Sequence, residues 1–288
     1  MFTYFLISLT SILSSFLSLS EKEYQSPPVP MAMCHTPAPE GMAAFAHDPA
    51  FQALHEAPLP IQYTGMGTMI QFETKSGPKA NAYLIKATSK SNKWLLVYQE
   101  WWGLNDYIKQ QSDIFYKDLK GEVNVLAIDM YDGQVATDPK EAAKLLASAK
   151  EDRLQELMKG AANYAGKKAQ LIQVGWCFGG SLSLKSAIAN ADQSIGCIMY
   201  YGMPVREASA LAALPCDVLG IFATEERISK EIIEEFAGNM KAAGKTLEYK
   251  IFNAAHAFAN PSNPKYDVAA AKEAYQMSIG YLKNKWGL

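Results

Sequence analysis

The strongest constraint on the fold of this 288-residue chain is a glycine-rich corner that follows an apolar run. Residues 171–174 (LIQV) are mainly apolar, the sequence GWCFGG occupies 175–180, and mostly small and apolar residues continue through 189. This order predicts a buried strand, a sharp turn and a helix packed on a sheet. Glycines two positions on either side of Cys177 suit a strained turn in which the helix begins close to the strand.

The corner has the form of a nucleophile elbow, G-x-S-x-G, with a cysteine sulfur in place of the serine oxygen. Cys177 would lie at the crest, and the amide N–H of Phe178 would point toward an oxyanion at the helix N-terminus. The alternative is that Cys177 is an ordinary buried cysteine at a strand-helix junction, because free cysteine is among the most buried residue types.

The composition is that of a globular protein, since the chain is 49% hydrophobic and 19% charged and can bury a full core. A formal net charge of -2 and a pI near 6.1 exclude the basic footprint of nucleic-acid binding. The four cysteines include no C-x-x-C pair and no metal-ligand spacing, so neither a disulfide framework nor a zinc site is indicated. We therefore expect no cofactor and no metal, and we expect Cys197 and Cys216 in the core.

Residues 1–20 are apolar and rich in serine, with no Lys or Arg in front of the apolar run. Three interpretations stay open: a secretory signal, a membrane anchor, or an assigned start too far upstream, with Met31 or Met33 as the true one. Because hydroxyl side chains interrupt the run, no stable membrane span is expected.

Residues 21–65 are rich in Pro and Ala and predict an irregular arm. Cys34-His35 supplies two adjacent ligands without further partners, which argues against a metal site there. His47 and His55 are expected to be exposed polar residues of the arm.

From residue 66 onward the pattern alternates between strands and helices. Strands are predicted at 68–73, 81–87, 94–98, 124–128, 171–174, 195–201, 218–223 and 247–252. Helices are predicted at 106–119, 181–189, 230–243 and 268–285, with a further helix that starts at an Asp138 N-cap followed by Pro139 and by Glu141 reaching back. This alternation predicts one α/β domain over 66–288, with a mostly parallel central sheet and helices on both faces.

Polar residues follow the carboxyl ends of several predicted strands, which is where the functional residues of a parallel sheet are typically found. They are Glu100 after 94–98, Cys177 at the corner, Glu225 and Glu226 after 218–223, and His256 after 247–252. Cys177, an acid and His256 thus come in the chain order nucleophile, acid, histidine of an α/β-hydrolase triad. We predict that His256 activates the Cys177 thiol and that the acid orients the imidazole.

Four stretches together resemble the dienelactone hydrolase family: QEWWG at 99–103, DMY at 129–131, the corner at 175–180 and AHAF at 255–258. The resemblance covers roughly residue 68 to the C-terminus and implies an α/β-hydrolase fold. It implies a catalytic cysteine, acid and histidine at Cys177, Glu226 and His256. It also implies a glutamate beside the thiol at Glu100 and a second oxyanion donor in the backbone N–H of Trp101.

Two positions depart from the family pattern. Where the family usually has an aspartate, this chain has Glu225-Glu226 in a slightly shorter loop. Glu226 is favoured as the acid, which leaves Glu225 as a solvated charge. The family prototype holds the carboxylate of its lactone with arginines, whereas the matching position after His256 is Asn260. The dienelactone itself is therefore uncertain as the substrate.

The expected reaction is hydrolysis of activated carboxylic esters or lactones through an acyl-thioester. A thiolate leaves more easily than an alkoxide, so the intermediate from a plain alkyl ester would expel Cys177, whereas an enol ester or a thioester would turn over. One expected role of Glu100 is to keep the resting thiol neutral by a hydrogen bond and to accept the thiol proton when substrate enters. The alternative is that Glu100 is a structural carboxylate. Aromatic side chains at the strand ends either line an apolar substrate pocket or pack at its rim. The predicted pocket residues are these aromatics together with Asn260: Trp102, Tyr131, Trp176 and Phe258.

Two other functions stay open. A thiol redox protein in which peroxide oxidises Cys177 needs a resolving cysteine, and none is visible in the sequence. A ligand-binding scaffold without turnover is disfavoured by the intact set Glu100, Cys177 and His256. The expected partner is a small-molecule ester or lactone, and the expected assembly is a monomer or small homo-oligomer. A catalytic thiol favours the reducing cytoplasm, while the apolar start leaves export open.

Overall fold

The computed structural model describes residues 46, 48–53 and 55–288. Its strands are Thr68–Phe72 (β1), Ala80–Ile85 (β2), Lys93–Tyr98 (β3), Asn124–Ile128 (β4), Gln170–Trp176 (β5), Ser194–Tyr200 (β6), Val218–Ala223 (β7) and Leu247–Phe252 (β8). Its helices are Pro49–Ala53 (α1), Asp106–Asp118 (α2), Pro139–Ser148 (α3), Glu151–Ala165 (α4), Phe178–Ala189 (α5), Ala208–Ala212 (α6), Lys230–Ala242 (α7) and Val268–Trp286 (α8). The expectations for residues 1–20, for Cys34-His35 and for His47 lie outside the described residues.

The eight strands form one sheet in the order β1-β2-β4-β3-β5-β6-β7-β8. β2 runs antiparallel to both β1 and β4, and the pairs from β4 through β8 are parallel. The predicted mostly parallel α/β fold is confirmed. Because the six parallel strands point the same way, their carboxyl ends share one edge of the sheet, and the loops that leave this edge carry the predicted site residues.

Buried side chains explain why the central strands read as continuous apolar runs. Every residue of β4 and of β7 is buried, as expected for strands covered on both faces. Cys197 and Cys216 are also buried, which confirms their predicted place in the core. Within the described part of the chain, no helix has the length and apolar character needed to cross a membrane.

The predicted helix start at Asp138 is confirmed. Its carboxylate accepts hydrogen bonds from the backbone N–H groups of Lys140 and Glu141, and Pro139 is the first residue of α3. The Glu141 side chain reaches back to the N–H of Thr137 at 2.8 Å. Sequence reasoning missed two helices, α4 and α6, and it was wrong to treat the arm as irregular throughout, because α1 lies inside it.

Candidate active site

The Cys177 corner is a strained turn that only glycines on either side permit. Cys177 has φ 54° and ψ -116°, a left-handed backbone that side-chain-bearing residues rarely adopt. A Cβ atom added at Gly175 would lie 2.1 Å from the carbonyl oxygen of Gly179, and one added at Gly179 would lie 2.3 Å from the carbonyl oxygen of Tyr98. The turn therefore holds Cys177 at the junction of β5 and α5, as the sequence predicts.

The Cys177 thiol lies at the start of α5 and is almost fully buried, with an exposed fraction of 1%. Burial raises the pKa of the thiol above its usual value, while the nearby His256 and the backbone N–H of Phe178 act in the opposite direction. Phe178 is the first residue of α5, so the helix itself provides no acceptor for this N–H. The amide is thus available to the sulfur or to an oxyanion next to it.

His256 follows β8 and is oriented by a carboxylate. Its Nδ1 atom lies 2.6 Å from Oε1 of Glu225, and both side chains are largely buried. Burial alone would lower the pKa of His256, but the negative charges of Glu225 and of the Cys177 thiolate outweigh it and raise the pKa. With Nδ1 facing the carboxylate, the other ring nitrogen is left for the side where Cys177 lies.

The acid on His256 is Glu225, and the expectation that Glu226 would take this position is wrong. The loop after β7 is tied to the loop after β8, because Thr224 donates its N–H to the carbonyl of Ala254 at 3.0 Å. The next side chain, Glu225, therefore turns toward His256, and Glu226 is exposed. The adjacent carboxylates are told apart by this backbone hydrogen bond, which the sequence pattern does not reveal.

Glu100 follows β3 and is a buried carboxyl group. Burial raises its pKa to about 7, against the opposing effects of His256, Asn260 and Tyr201. Oε2 of Glu100 accepts a hydrogen bond from the side-chain amide of Asn260, whereas Oε1 has no hydrogen-bond partner among the described residues. Glu100 acts on the Cys177 thiol through its charge, which raises the thiol pKa. The expected hydrogen bond from the resting thiol is replaced here by the one from Asn260.

The predicted pocket residues fall into two groups. Trp176 and Asn260 line a narrow cleft that reaches Glu100. Tyr131 stacks on Phe178, with ring centroids 5.7 Å apart, and its buried hydroxyl has no hydrogen-bond partner among the described residues. These three side chains therefore border either the cleft or the elbow.

The second group is packed in the interior. The Phe258 ring contacts Tyr201 and Phe252, with centroids 5.5 and 5.1 Å away. The Trp102 ring meets the Trp101 ring edge-on at 5.0 Å. Contact of Phe258 or Trp102 with a substrate stays a prediction, as does the oxyanion role of the Trp101 N–H.

Sequence reasoning missed Tyr201, the residue that follows β6. Its φ is 33°, its ring lies 5.0 Å from that of His256, and it is fully buried beside Glu100 and Cys177. The rule that placed the other site residues at strand ends also applies to this tyrosine. The strand predicted at 195–201 included Tyr201, whereas β6 ends at Tyr200, so this error of one residue at the strand end concealed the tyrosine.

An N-terminal segment, residues 48–53 with 55, covers the candidate site. The Phe51 ring lies 5.2 Å from Trp101 and 6.0 Å from His256, so it packs directly over the loops after β3 and β8. An ion pair fixes the segment to the loop after β7, which carries Glu225. In this pair, Nε of Arg227 lies 2.8 Å from Oδ2 of Asp48. The Arg227 guanidinium also lies over the Phe51 ring at 5.7 Å.

His55 is buried in the site, and the expectation that it would be exposed is wrong. It is 3% exposed, and its ring lies 5.1 Å from that of His256 and 4.8 Å from that of Trp101. Its Nδ1–H donates to the carbonyl of Phe51 at 2.8 Å. Burial, together with the charge of His256, lowers the pKa of His55 to about 3, so the ring is neutral. Nothing in the local sequence of the arm indicates this return to the site.

The fold and the site together define an α/β hydrolase fold with a cysteine at the crest of the strand-turn-helix corner. A family model settles which one: residues 80–285 match the dienelactone hydrolase family, and the chain belongs to that family. Membership assigns it to the hydrolases of carboxylic esters and lactones.

Individual relatives agree over most of the chain. A protein of Aquifex aeolicus (strain VF5) named "Putative carboxymethylenebutenolidase" is 27% identical over 232 residues, covering 76% of this chain and 98% of the relative. Carboxymethylenebutenolidase 1 of Cupriavidus pinatubonensis is 25% identical over 234 residues, covering 74% and 95%. The crystal structure of P91, a dienelactone hydrolase-like promiscuous phosphotriesterase from metagenomic libraries, has a TM-score of 0.66 at 18% identity, covering 76% of this chain and 98% of P91. At that identity the likeness to P91 concerns the fold alone.

Proposed function

We propose that this protein hydrolyses activated carboxylic esters or lactones through a Cys177-His256-Glu225 triad and an acyl-thioester on Cys177. The observation that carries the proposal is the geometry at three strand ends. The Cys177 sulfur, held in a strained elbow, lies within 4.8 Å of a ring nitrogen of His256, and Nδ1 of His256 faces Glu225 at 2.6 Å. Nucleophile, base and orienting acid are the parts that covalent acyl transfer requires.

The reaction begins with loss of the thiol proton and attack of sulfur on the carbonyl carbon. The oxyanion that forms lies next to the N–H of Phe178 at the start of α5 and the N–H of Trp101, which together stabilise it. The intermediate collapses to a thioester on Cys177, and the leaving alkoxide or enolate takes a proton from the His256 imidazolium, which the raised pKa of His256 keeps protonated in the resting site. A water molecule, deprotonated by the now neutral His256, then attacks the thioester, and the acid product leaves with the Cys177 thiolate restored. The thiolate recovers its proton from Glu100, which closes the cycle.

Glu100 accepts the thiol proton as substrate enters. A pKa of about 7 places this carboxyl close to the working pH, where a group can both take up and release a proton. Its partnerless Oε1 is free for this exchange, while Asn260 holds the other oxygen. This role follows the family resemblance and adds to the triad, in which His256 remains the base for water.

The choice of substrate is limited by the leaving group and by charge. An acyl-enzyme forms efficiently only when the leaving group departs more readily than the Cys177 thiolate, which favours enol-lactones, activated esters and thioesters. The chain has three arginines, and they pair with Asp132, Glu235 and Asp48 respectively. An arginine clamp for a substrate carboxylate is therefore unsupported, and we expect neutral esters and lactones to be better substrates than carboxylate-bearing dienelactones.

The test is steady-state hydrolysis of p-nitrophenyl acetate and of a pair of enol-lactones that differ by one carboxylate. Cys177→Ala is expected to remove turnover of all three, whereas Cys177→Ser should keep a weak residual activity. Cys216→Ala is the matched control, because this buried thiol precedes β7 and lies at the opposite edge of the sheet. Turnover by Cys177→Ala equal to that of the wild type would rule out the proposed mechanism.

A further inference from the structure

Three potential metal ligands from distant parts of the chain meet at the candidate active site: His55, Cys177 and His256. One ring nitrogen of each histidine and the cysteine sulfur lie within 4.8 Å of one another, and all three residues are buried. The reaction proposed above uses Cys177 and His256 but gives His55 no role. The presence of a buried histidine against this pair needs its own explanation.

Both imidazole rings are oriented in the same way by their Nδ1 atoms. Nδ1–H of His55 donates to the Phe51 carbonyl at 2.8 Å, and Nδ1 of His256 lies 2.6 Å from the Glu225 carboxylate. A neutral imidazole with a proton on Nδ1 has a free lone pair on Nε2. Nε2 of His55 is buried without a hydrogen-bond partner among the described residues, and the ring of His256 meets the Cys177 thiol on the side away from Glu225. Metal-binding histidines in proteins are typically held by a carbonyl or carboxylate on the second nitrogen in this manner.

From this geometry we infer that His55, Cys177 and His256 bind one zinc-type divalent cation. Two imidazoles and one thiolate form a borderline-soft donor set that suits Zn²⁺ and Co²⁺ and disfavours Mg²⁺ and Ca²⁺, which prefer oxygen ligands. Three protein ligands leave a fourth tetrahedral position for water. Ligand atoms around one zinc ion lie roughly 3.5 Å apart, so the separations within the trio need to shorten by at most about 1.3 Å.

Metal binding displaces the thiol proton of Cys177 and the Nε2 proton of the His256 imidazolium, and both are released to solvent as sulfur and nitrogen coordinate the cation. The same sulfur and the same imidazole are needed for hydrolysis, so a bound cation blocks attack on a substrate. Because His55 belongs to the N-terminal segment, the cation also joins this segment to the loops after β5 and β8. The site is an inhibitory one that locks the segment over Cys177. Binding is independent of the proposed hydrolysis, and only the inhibition rests on that function.

Sequence spacing gave no sign of this site, since it indicated no metal ligands among the cysteines and placed His55 at the surface. The ligands are separated by more than 70 residues in each case, and His55 reaches the pair only through the packing of Phe51 and the Asp48-Arg227 ion pair.

The experiment is a titration of the reduced, full-length protein, free of any polyhistidine tag, with Co²⁺ followed by absorbance. We expect saturation at one Co²⁺ per chain, with a sulfur-to-cobalt charge-transfer band in the near ultraviolet and the visible bands of four-coordinate cobalt. Zn²⁺ should displace Co²⁺ stoichiometrically. A titration without a charge-transfer band, or one in which Cys177→Ser keeps the band, would overturn the inference.

The third ligand is tested with His55→Gln and His55→Ala. Removing a ligand should weaken Zn²⁺ affinity by at least about 100-fold, since loss of a mere supporting contact already costs 10- to 100-fold. Gln52→Ala changes a neighbouring residue of the segment and should keep full affinity. If both His55 variants bind Zn²⁺ as tightly as the wild type does, His55 is not a ligand and the site is wrong. Circular dichroism shows that each variant is folded before it is titrated.

A second readout separates this inference from the proposed function. If the protein turns over an ester, Zn²⁺ should inhibit it reversibly, with recovery in EDTA, and His55→Gln should need at least about 100-fold more Zn²⁺. If no ester is hydrolysed, the cobalt spectrum still tests whether the three residues bind a metal ion. A normal cobalt spectrum without turnover contradicts the hydrolase alone, and turnover without a cobalt spectrum contradicts the metal site alone.

Discussion

The Cys177 elbow and the N-terminal segment meet at one site but are held there by different forces. The elbow is fixed by backbone sterics: the carbonyl oxygens of Tyr98 and Gly179 leave no room for a Cβ on the facing glycines. The segment is fixed by the Asp48-Arg227 ion pair and by the contacts of Phe51 with Trp101 and His256. Backbone sterics fix the position of Cys177, whereas side-chain contacts alone hold the segment over it. The structure thus combines a sterically fixed Cys177 with an N-terminal cover, residues 48–53 with 55, that is held by side-chain contacts.

The largest effect should come from breaking the elbow. Gly179→Ala places a Cβ 2.3 Å from the Tyr98 carbonyl, so we expect a loss of about 3 kcal/mol or more in the free energy of unfolding. Gly238→Ala is the control, because this exposed glycine in α7 has nothing within 4 Å of an added Cβ and should gain about 0.5–1 kcal/mol. Chemical denaturation measures both. Equal stabilities for the two variants would show that the elbow is not sterically fixed.

The second-largest effect should distinguish Glu225 from Glu226, the two adjacent carboxylates in the loop after β7. Glu225→Gln removes the charge that orients and stabilises the His256 imidazolium, so kcat/KM should fall by about 100-fold or more. Glu226→Gln changes an exposed neighbour and should stay within about twofold of the wild type. Steady-state kinetics on an enol-lactone measures the difference. A larger loss in Glu226→Gln would return the triad acid to the position that the sequence favoured.

The pH dependence of activity tests the role of Glu100. A base with a pKa of about 7 is mostly protonated at pH 6 and mostly ionised at pH 8, so kcat/KM should rise about tenfold across this interval. Glu100→Gln has no titrating group at this position and should lose that rise. Survival of the same ascending limb in Glu100→Gln would mean that another group sets the pH profile.

The smallest effect concerns the cover. Asp48→Asn weakens a partly buried ion pair worth about 1 kcal/mol, so the segment should open about fivefold more often. The rate at which iodoacetamide alkylates Cys177 should rise by that factor, because the thiol is buried when the segment is closed. Glu235→Gln breaks the exposed ion pair with Arg206 and serves as control. An unchanged alkylation rate in Asp48→Asn would show that the ion pair does not hold the cover.

The same contrast explains what could be predicted from the sequence. Local patterns predict the elbow, the buried central strands, and the order of cysteine, acid and histidine along the chain. They do so because glycine sterics and apolar runs act over a few residues. The choice of Glu225 depends on a hydrogen bond between Thr224 and Ala254, on two different loops. The place of His55 depends on contacts with Trp101 and His256, which lie far along the chain. Such long-range contacts leave no periodicity in the sequence.

The central claim is that Cys177 carries the acyl group and that Glu225 serves its release. The direct measurement is mass spectrometry of acid-quenched Glu225→Gln protein after mixing with p-nitrophenyl acetate, followed by peptide mapping. The account predicts one acetyl group per chain on Cys177, at higher occupancy than in Glu226→Gln, because slow deacylation lets the thioester accumulate. An acetyl group on any other residue, or p-nitrophenol release with no acetylated Cys177 at any quench time, would contradict it.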